Sequence, residues 1–230
     1  MAALEEGAEA PRIKSFALRV GRMTIGQKQA FDKLSEQFSL DPKQSCNFVN
    51  AFGRDAPVIV EIGFGNGESL AKTALENPDN NYIGIEVHTP GVGNLLAQIK
   101  REGITNIRVY HHDAIEVLEK CIPKHSLAGI HLFFPDPWHK RKHHKRRIVR
   151  PSFMPLIAKK IAHKGYFHAA TDWEHYAKHM LKVLVDAAHF NNQNTKQDYS
   201  PRPDYRPLTK FEQRGLRLGH GVWDLIFTRD

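Results

Sequence analysis

The chain has 230 residues, 41% hydrophobic and 25% charged, with 33 Lys and Arg against 25 Asp and Glu and a formal net charge of +8. That length suits one large α/β domain with a real core, and two cysteines, Cys46 and Cys121, give no disulfide framework and no Cys-based zinc motif. No apolar stretch approaches the roughly 18 residues of a membrane span, and the acidic start MAALEEGAEAPR has neither the basic region nor the apolar core of a signal peptide, so a cytoplasmic protein is expected.

In chain order, residues 1–25 read as a mobile basic arm carrying Arg12, Lys14, Arg19 and Arg22, and residues 26–230 as a single domain. Ala30, Phe31, Leu34 and Phe38 recur at helical spacing, which predicts a helix over about 26–38. Strands and helices then alternate. Val58–Ile62 reads as a short buried strand, followed by a glycine loop, Gly63 to Gly67, and a helix to about Glu76. A strand at 82–86 leads to a helix over 89–101, whose start is blurred by Pro90, Gly91 and Gly93. Residues 107–110 form the third strand and 114–121 a short helix. The fourth strand, 130–134, stops at Pro135-Asp136-Pro137-Trp138. Pro151 suits a helix N-terminus, with that helix running to about His163; a fifth strand covers 166–170 and a helix 173–188. The chain closes with a late hairpin ending in residues 222–227. This regular alternation predicts a mainly parallel sheet with helices on both faces, binding its ligands at the carboxyl ends of the strands.

Charge is distributed unevenly. Seven Lys or Arg fall between Lys140 and Arg150, and no Asp or Glu occurs from Pro137 to Thr171. A cationic belt placed directly after a strand end is a footprint for a phosphate backbone. His139, His143 and His144 lie inside it, but the surrounding Lys and Arg would repel a dication, so no metal is expected.

The loop Glu61-Ile62-Gly63-Phe64-Gly65-Asn66-Gly67 is not a dinucleotide fingerprint, because Glu68 stands where the third glycine would be. Its carboxylate is wrong for pyrophosphate and right for a cationic or amino-bearing ligand, which favours S-adenosylmethionine. Glu86, about twenty residues on, suits two ribose hydroxyls. Asp113 suits an adenine amino group or, equally, the N-cap of the helix that follows. With Asp136, four acidic groups stand at four successive strand ends, the pattern of Rossmann-like methyltransferases.

Together EIGFGNGESL (61–70), IGIEVH (83–88), HHDA (111–114), FPDPWHKRKHHKRR (134–147), ATDWEHYA (170–177) and LTKFEQRG (208–215) resemble the bacterial tRNA (guanine-N7-)-methyltransferase family over nearly the whole chain. The resemblance implies a class I S-adenosylmethionine-dependent fold with a mainly parallel seven-stranded sheet. It implies S-adenosylmethionine binding by Glu61, Gly63, Gly65, Gly67, Glu86, Asp113 and Asp136, with Asp136 catalytic. It assigns substrate contacts to Lys140, Lys142, His143, His144, Lys145, Arg146, Arg147, Asp172, Thr209, Lys210, Phe211 and Glu212. The implied product is 7-methylguanosine in the tRNA variable loop; the sequence leaves the oligomeric state undetermined, with a monomer favoured. Lys210 stands where the family usually has Arg, keeping the charge and losing the guanidinium fork.

The chemistry agrees with so sparse a set. Guanine N7 carries an in-plane lone pair and needs no deprotonation, so the protein has mainly to align nucleophile, methyl and leaving sulfur. Asp136 and Asp172 suit the N1 and N2 hydrogens of guanine or the positive charge of the product. Trp138 reads first as a loop anchor and second as a stacking surface. Thr171 and Glu174 have the spacing of a capping box, which would leave Asp172 facing the site. The competing readings are an exocyclic-amino methyltransferase, for which Asp136-Pro137-Trp138 is one proline short of the usual motif, and a non-catalytic RNA-binding protein of the same fold.

Overall fold

The computed structural model describes residues 13–16, 21–196, 198–217, 219 and 221–230. Its helices are α1 (Ile25–Phe38), α2 (Phe48–Phe52), α3 (Glu68–Glu76), α4 (Thr89–Glu102), α5 (Ala114–Lys120), α6 (Met154–Lys160), α7 (Glu174–Val185) and α8 (Lys210–Arg217). Its strands are β1 (Val58–Ile62), β2 (Asn81–Ile85), β3 (Ile107–Tyr110), β4 (Leu127–Phe133), β5 (Ile161–Thr171), β6 (Phe190–Asn192) and β7 (Trp223–Arg229). The seven strands form one sheet in the order β3-β2-β1-β4-β5-β7-β6. The first five in this order run parallel; β7 is antiparallel to both β5 and β6.

Both β1 and β2 are buried at all five positions, as strands covered on both faces must be. One face packs Val60, Ile83 and Ile130 against Val117, Leu118, Ile157, Tyr176 and Met180 of α5, α6 and α7. The other packs Ile59, Tyr82 and Val109 against Leu70, Leu95 and Leu96 of α3 and α4. From β1 the chain winds one way to β2 and β3 and the other way to β4 and β5. This reversal opens a crevice above the carboxyl ends of β1 and β4, the usual ligand site of such sheets.

Several elements differ from the sequence reading. The helix expected to reach His163 stops at Lys160, because Ile161 is fully buried and pairs with Leu127 as the first residue of β5. Neither α2, α8 nor β6 was signalled by periodicity, each being too short or too polar to show one. The glycines at the start of α4 are a packing requirement, since a Cβ at Gly91 would stand 2.1 Å from the Gly65 carbonyl oxygen. Helix and glycine loop therefore touch backbone to backbone. The capping box expected at Thr171 and Glu174 does not form. Thr171 ends β5, its Oγ1 accepts from Trp173 N at 3.3 Å, and Glu174 pairs with Lys178 at 2.7 Å. Of the expected N-terminal arm, residues 1–12 and 17–20 lie outside the described residues.

A candidate active site at the strand ends

A cavity of about 220 Å³ sits in the crevice, with Gly63, Glu86, His112, Phe134 and Asp136 among its walls and Ser15 and Phe16 closing one side. The first residue of the glycine loop, Gly63, lines it. Gly63, Gly65 and Gly67 all have left-handed φ, at 72°, 59° and 76°, a conformation that strains any side chain. Nothing lies within 4 Å of where a Cβ would be at Gly63 or Gly65, so the space in front of both is open to a ligand.

Glu86, half-buried after the end of β2, holds this loop. Its Oε1 accepts from Val87 N at 2.7 Å and His88 N at 3.0 Å, and its Oε2 from Gly65 N at 2.9 Å. A carboxylate offers about four acceptor sites, so a ribose diol there would share Oε2 with Gly65.

Glu61 is the most perturbed carboxyl of the crevice. It is 3% exposed, and its Oε2 has no hydrogen-bond partner among the described residues. Burial, and secondarily the charge of Glu86, push its pKa up to about 8. A buried, unpaired carboxylate is unfavourable until a cationic donor meets it. An ammonium-bearing ligand such as S-adenosylmethionine fits both this orphan oxygen and the open space in front of Gly63 and Gly65.

Asp113 is buried and caps α5, its Oδ1 accepting from Ile115 N at 2.9 Å. The second of its two expected roles is thus the one with a visible bond. Asp136 is exposed on the cavity rim. It stands between Phe134 (φ 50°) and Trp138 (φ 48°), two non-glycine residues in the left-handed region. Such residues carry about 1–2 kcal/mol of strain each and cluster at functional sites. The turn they make lifts Asp136 out of the strand.

Trp138 is a loop anchor. Its indole N–H donates to the Ser15 carbonyl at 3.1 Å, and the Arg146 guanidinium sits 5.0 Å from its ring. The basic stretch beyond it is a 3-10 helix, Arg141–Arg146. Lys140, Arg141, Lys142 and Lys145 are exposed, whereas His143, His144 and Arg146 are half-buried. Burial, then the charges of Lys142 and Arg146, hold the His143 imidazole below its usual pKa; burial, then Arg147, do the same to His144. Both rings are therefore neutral near pH 7 and add no charge to the belt.

Arg147 corrects the sequence reading. Expected on the RNA-facing surface, it is 1% exposed. Its Nε donates to the Pro137 carbonyl at 2.9 Å, a terminal nitrogen meets His175 Nδ1 at 3.2 Å, and the guanidinium lies 4.7 Å from the Tyr176 ring. It ties the Asp136 turn to α7.

Glu212, expected to contact the substrate, is buried as well. It is 3% exposed and forms two bonds with Arg206, at 2.8 and 2.7 Å. Arg206 also binds Asp224 of β7 through Nε–Oδ1 at 2.7 Å and a terminal nitrogen at 3.0 Å from Oδ2. Asp224 Oδ1 in turn meets His168 Nε2 at 2.8 Å, and the Tyr205 hydroxyl meets His168 Nδ1 at 3.0 Å. Burial lowers the His168 pKa more than Asp224 raises it, so a neutral imidazole donates to Asp224 and accepts from Tyr205. The Arg206 guanidinium lies 6.0 and 5.7 Å from the rings of Phe133 and Phe134. Arg206 thus bolts α8 to the end of β4, next to Asp136. Thr209 Oγ1 accepts from Glu212 N at 3.1 Å and so starts α8. Asp172 is half-buried in the turn between β5 and α7. The side chains of Lys210 and Phe211 lie outside the described residues. Sequence reasoning missed Arg206, Asp224 and His168. The available signal was a carboxylate at 224 and an imidazole at 168, each flanked by apolar residues in its strand.

Residues 55–225 match a family model described as "Putative methyltransferase". Two curated relatives are each named tRNA (guanine-N(7)-)-methyltransferase. One, from Shewanella amazonensis, is 55% identical over 226 residues, 98% of this chain and 95% of the relative. The other, from Hydrogenovibrio crunogenus, is 57% identical over 219 residues, 95% of this chain and 91% of the relative. Among solved structures, the 16S rRNA methyltransferase KamB superposes with a TM-score of 0.55 at 14% identity, covering 95% of this chain and 99% of that one. An antibiotic-related methyltransferase gives 0.54 at 15% identity, covering 81% and 98%. These two likenesses are of fold alone.

Proposed function

The chain belongs to the tRNA (guanine-N(7)-)-methyltransferase family, and from that premise we propose that it moves a methyl group from S-adenosylmethionine to N7 of a tRNA guanine at this crevice. The observation that carries the reading is Glu61, a buried carboxylate with an orphan oxygen near the end of β1, two residues before the glycine loop whose Gly63 and Gly65 face open space. Its ionised form suits the ammonium of S-adenosylmethionine. When bound, that cofactor supplies an electrophilic methyl on a sulfonium. The glycine loop would let backbone approach it closely, Glu86 would accept from its ribose, and the Asp113 segment would border its base.

The rest of the task is alignment. Guanine N7 attacks with its own lone pair, so no general base is needed. Asp136, raised on its turn at the rim, accepts from the guanine N1 and N2 hydrogens and offsets the positive charge that the base gains. Asp172 reinforces it from the end of β5, which pairs with β4 as far as Phe133 and Ala170. Lys140 lies nearest the guanine, while Lys142, Lys145 and Arg146 hold flanking phosphates and fix the register of the RNA. Arg206 and Glu212 act at one remove, keeping α8 and Thr209 against the site. We take the target to be in the variable loop, the working unit to be a monomer, and its place to be the cytoplasm. Residues 26–230 serve as one methyltransferase domain and residues 1–25 as an arm. No helix among the described residues is long and apolar enough to cross a membrane.

The test is incubation of the protein with methyl-labelled S-adenosylmethionine and tRNA free of 7-methylguanosine, followed by nucleoside analysis. Label in 7-methylguanosine is the expected result. Label in an exocyclic amine, or none in tRNA, overturns the reading.

A further inference from the structure

We propose that Trp173 is the stacking surface for a nucleobase of the tRNA beside the target guanine; this rests on the reading of the chain as a tRNA methyltransferase. Trp173 is 43% exposed. Among the described residues the other exposed large apolar side chains are aliphatic: Ile13, Ile25, Val49, Leu75 and Val185. Among the described residues the indole is therefore the exposed ring of the Trp, Tyr and Phe side chains.

Its place fits a base. It follows Asp172 at the end of β5, next to the end of β4 that carries Asp136. It borders a recess of about 420 Å³ shared with His139, Arg141, His144 and His175. Arg141 belongs to the exposed part of the basic stretch. A flat apolar face beside cations at a strand end is what a single-stranded nucleotide needs, stacking for its base and charge for its phosphate.

The fold does not require Trp173 for packing. Helix α7 is anchored by Tyr176, Ala177, Met180 and Leu184, all fully buried. Trp173 is the N-cap of that helix and makes no side-chain cap bond. Ser, Thr, Asp or Asn would be favoured there, so an indole gives up a stabilising cap. His139 meets the ring at 4.3 Å and 81°, which fixes its orientation. Trp138, by contrast, is already engaged by Ser15, Arg146 and His143.

The experiment compares wild type, Trp173→Ala and Trp173→Phe in tRNA binding across a range of salt, with S-adenosylmethionine affinity and thermal midpoint measured beside it. Loss of one base–aromatic stack corresponds to roughly 5- to 100-fold in tRNA affinity. Trp173→Ala is expected to lose that much and Trp173→Phe to keep most of it. Cofactor affinity should not change, and neither should the log–log salt slope, because no phosphate contact is lost. Unchanged tRNA affinity in Trp173→Ala overturns the proposal, and so does a flattened salt slope, which would mean that the indole only holds the basic stretch in place. If Trp173→Ala fails to fold, Trp173→Phe with near-wild-type tRNA affinity, together with quenching of indole fluorescence by tRNA that is seen in wild type and lost in Trp173→Phe, supports stacking; quenching that is absent in wild type or unchanged in Trp173→Phe overturns it. Wild-type protein that makes 7-methylguanosine while Trp173→Ala binds tRNA normally would sink this inference alone and leave the proposed function standing.

Discussion

Arg206 and Glu212 form a two-bond ion pair that is 1% and 2% exposed at the side chains, and the same guanidinium is shared with Asp224. The pair holds a short helix on which the sequence alone had placed substrate contacts. Removing one partner of a buried pair strands the other charge and typically costs about 3–5 kcal/mol. Glu212→Ala is therefore expected to lower the thermal midpoint by roughly 6–20 °C for a chain of this size. Thermal unfolding without ligands checks this. A wild-type midpoint with lost tRNA binding would return Glu212 to the substrate surface.

Glu61 predicts a pH dependence of definite sign. Its pKa is raised from 4.5 to about 8 in the fold, so between these values the folded chain keeps a proton that the unfolded chain has released. The unfolded state then binds fewer protons, and stability falls as pH rises through that window. Glu61→Gln should remove this fall and be the more stable protein near pH 8. Ligand binding should run the other way, S-adenosylmethionine affinity rising with pH towards 8 as the carboxyl ionises, and Glu61→Gln losing the trend. Denaturant unfolding and calorimetry at several pH values test both, and parallel profiles for wild type and variant would contradict the assignment.

The basic stretch divides by burial. Lys142 and Lys145 are exposed, and replacing both by Ala should weaken tRNA binding and flatten its log–log salt slope by up to roughly 0.7–0.9 per lost contact. Arg147→Ala should instead lower the thermal midpoint, because Arg147 ties the Pro137 carbonyl to α7. Salt titrations and melting curves of the two variants separate the roles. An Arg147→Ala protein with normal stability and a flattened slope would reverse them.

What the sequence made legible follows from physics that is local. Wholly apolar runs such as Val58–Val60 and turns such as Gly63–Gly67 are written in adjacent residues, so strands β1 to β4 and the glycine loop could be placed, as could Glu86 at the end of β2. The extension of β5 to Ile161 could not, because Ile161-Ala162-His163 continues a helical pattern and only the partner strand at Leu127 decides otherwise. The resemblance assigned Arg147 and Glu212 to RNA and substrate contacts, and their burial was not legible, because a sequence displays charge and conceals burial. Their partners His175 and Arg206 lie 28 and 6 residues away, and Arg206 reaches Asp224 across 18 more. Such pairings exist only once the sheet has brought β5, β7 and α8 together. Trp138 was legible as a loop anchor, but not its partner, since the arm residue that accepts its indole N–H is 123 positions away.

The most direct measurement is single-turnover methyl transfer from labelled S-adenosylmethionine to tRNA by wild type and Asp136→Asn, with 7-methylguanosine counted and thermal midpoints compared. Asp136 sits exposed on a turn whose strain is borne by Phe134 and Trp138, so the substitution should leave the fold intact. Wild type should form 7-methylguanosine, and Asp136→Asn should slow its formation on the order of 100- to 1,000-fold, the effect of removing one preorganised electrostatic partner. A wild-type rate in Asp136→Asn at an unchanged midpoint, or methylation by wild type at any atom other than guanine N7, would contradict the account.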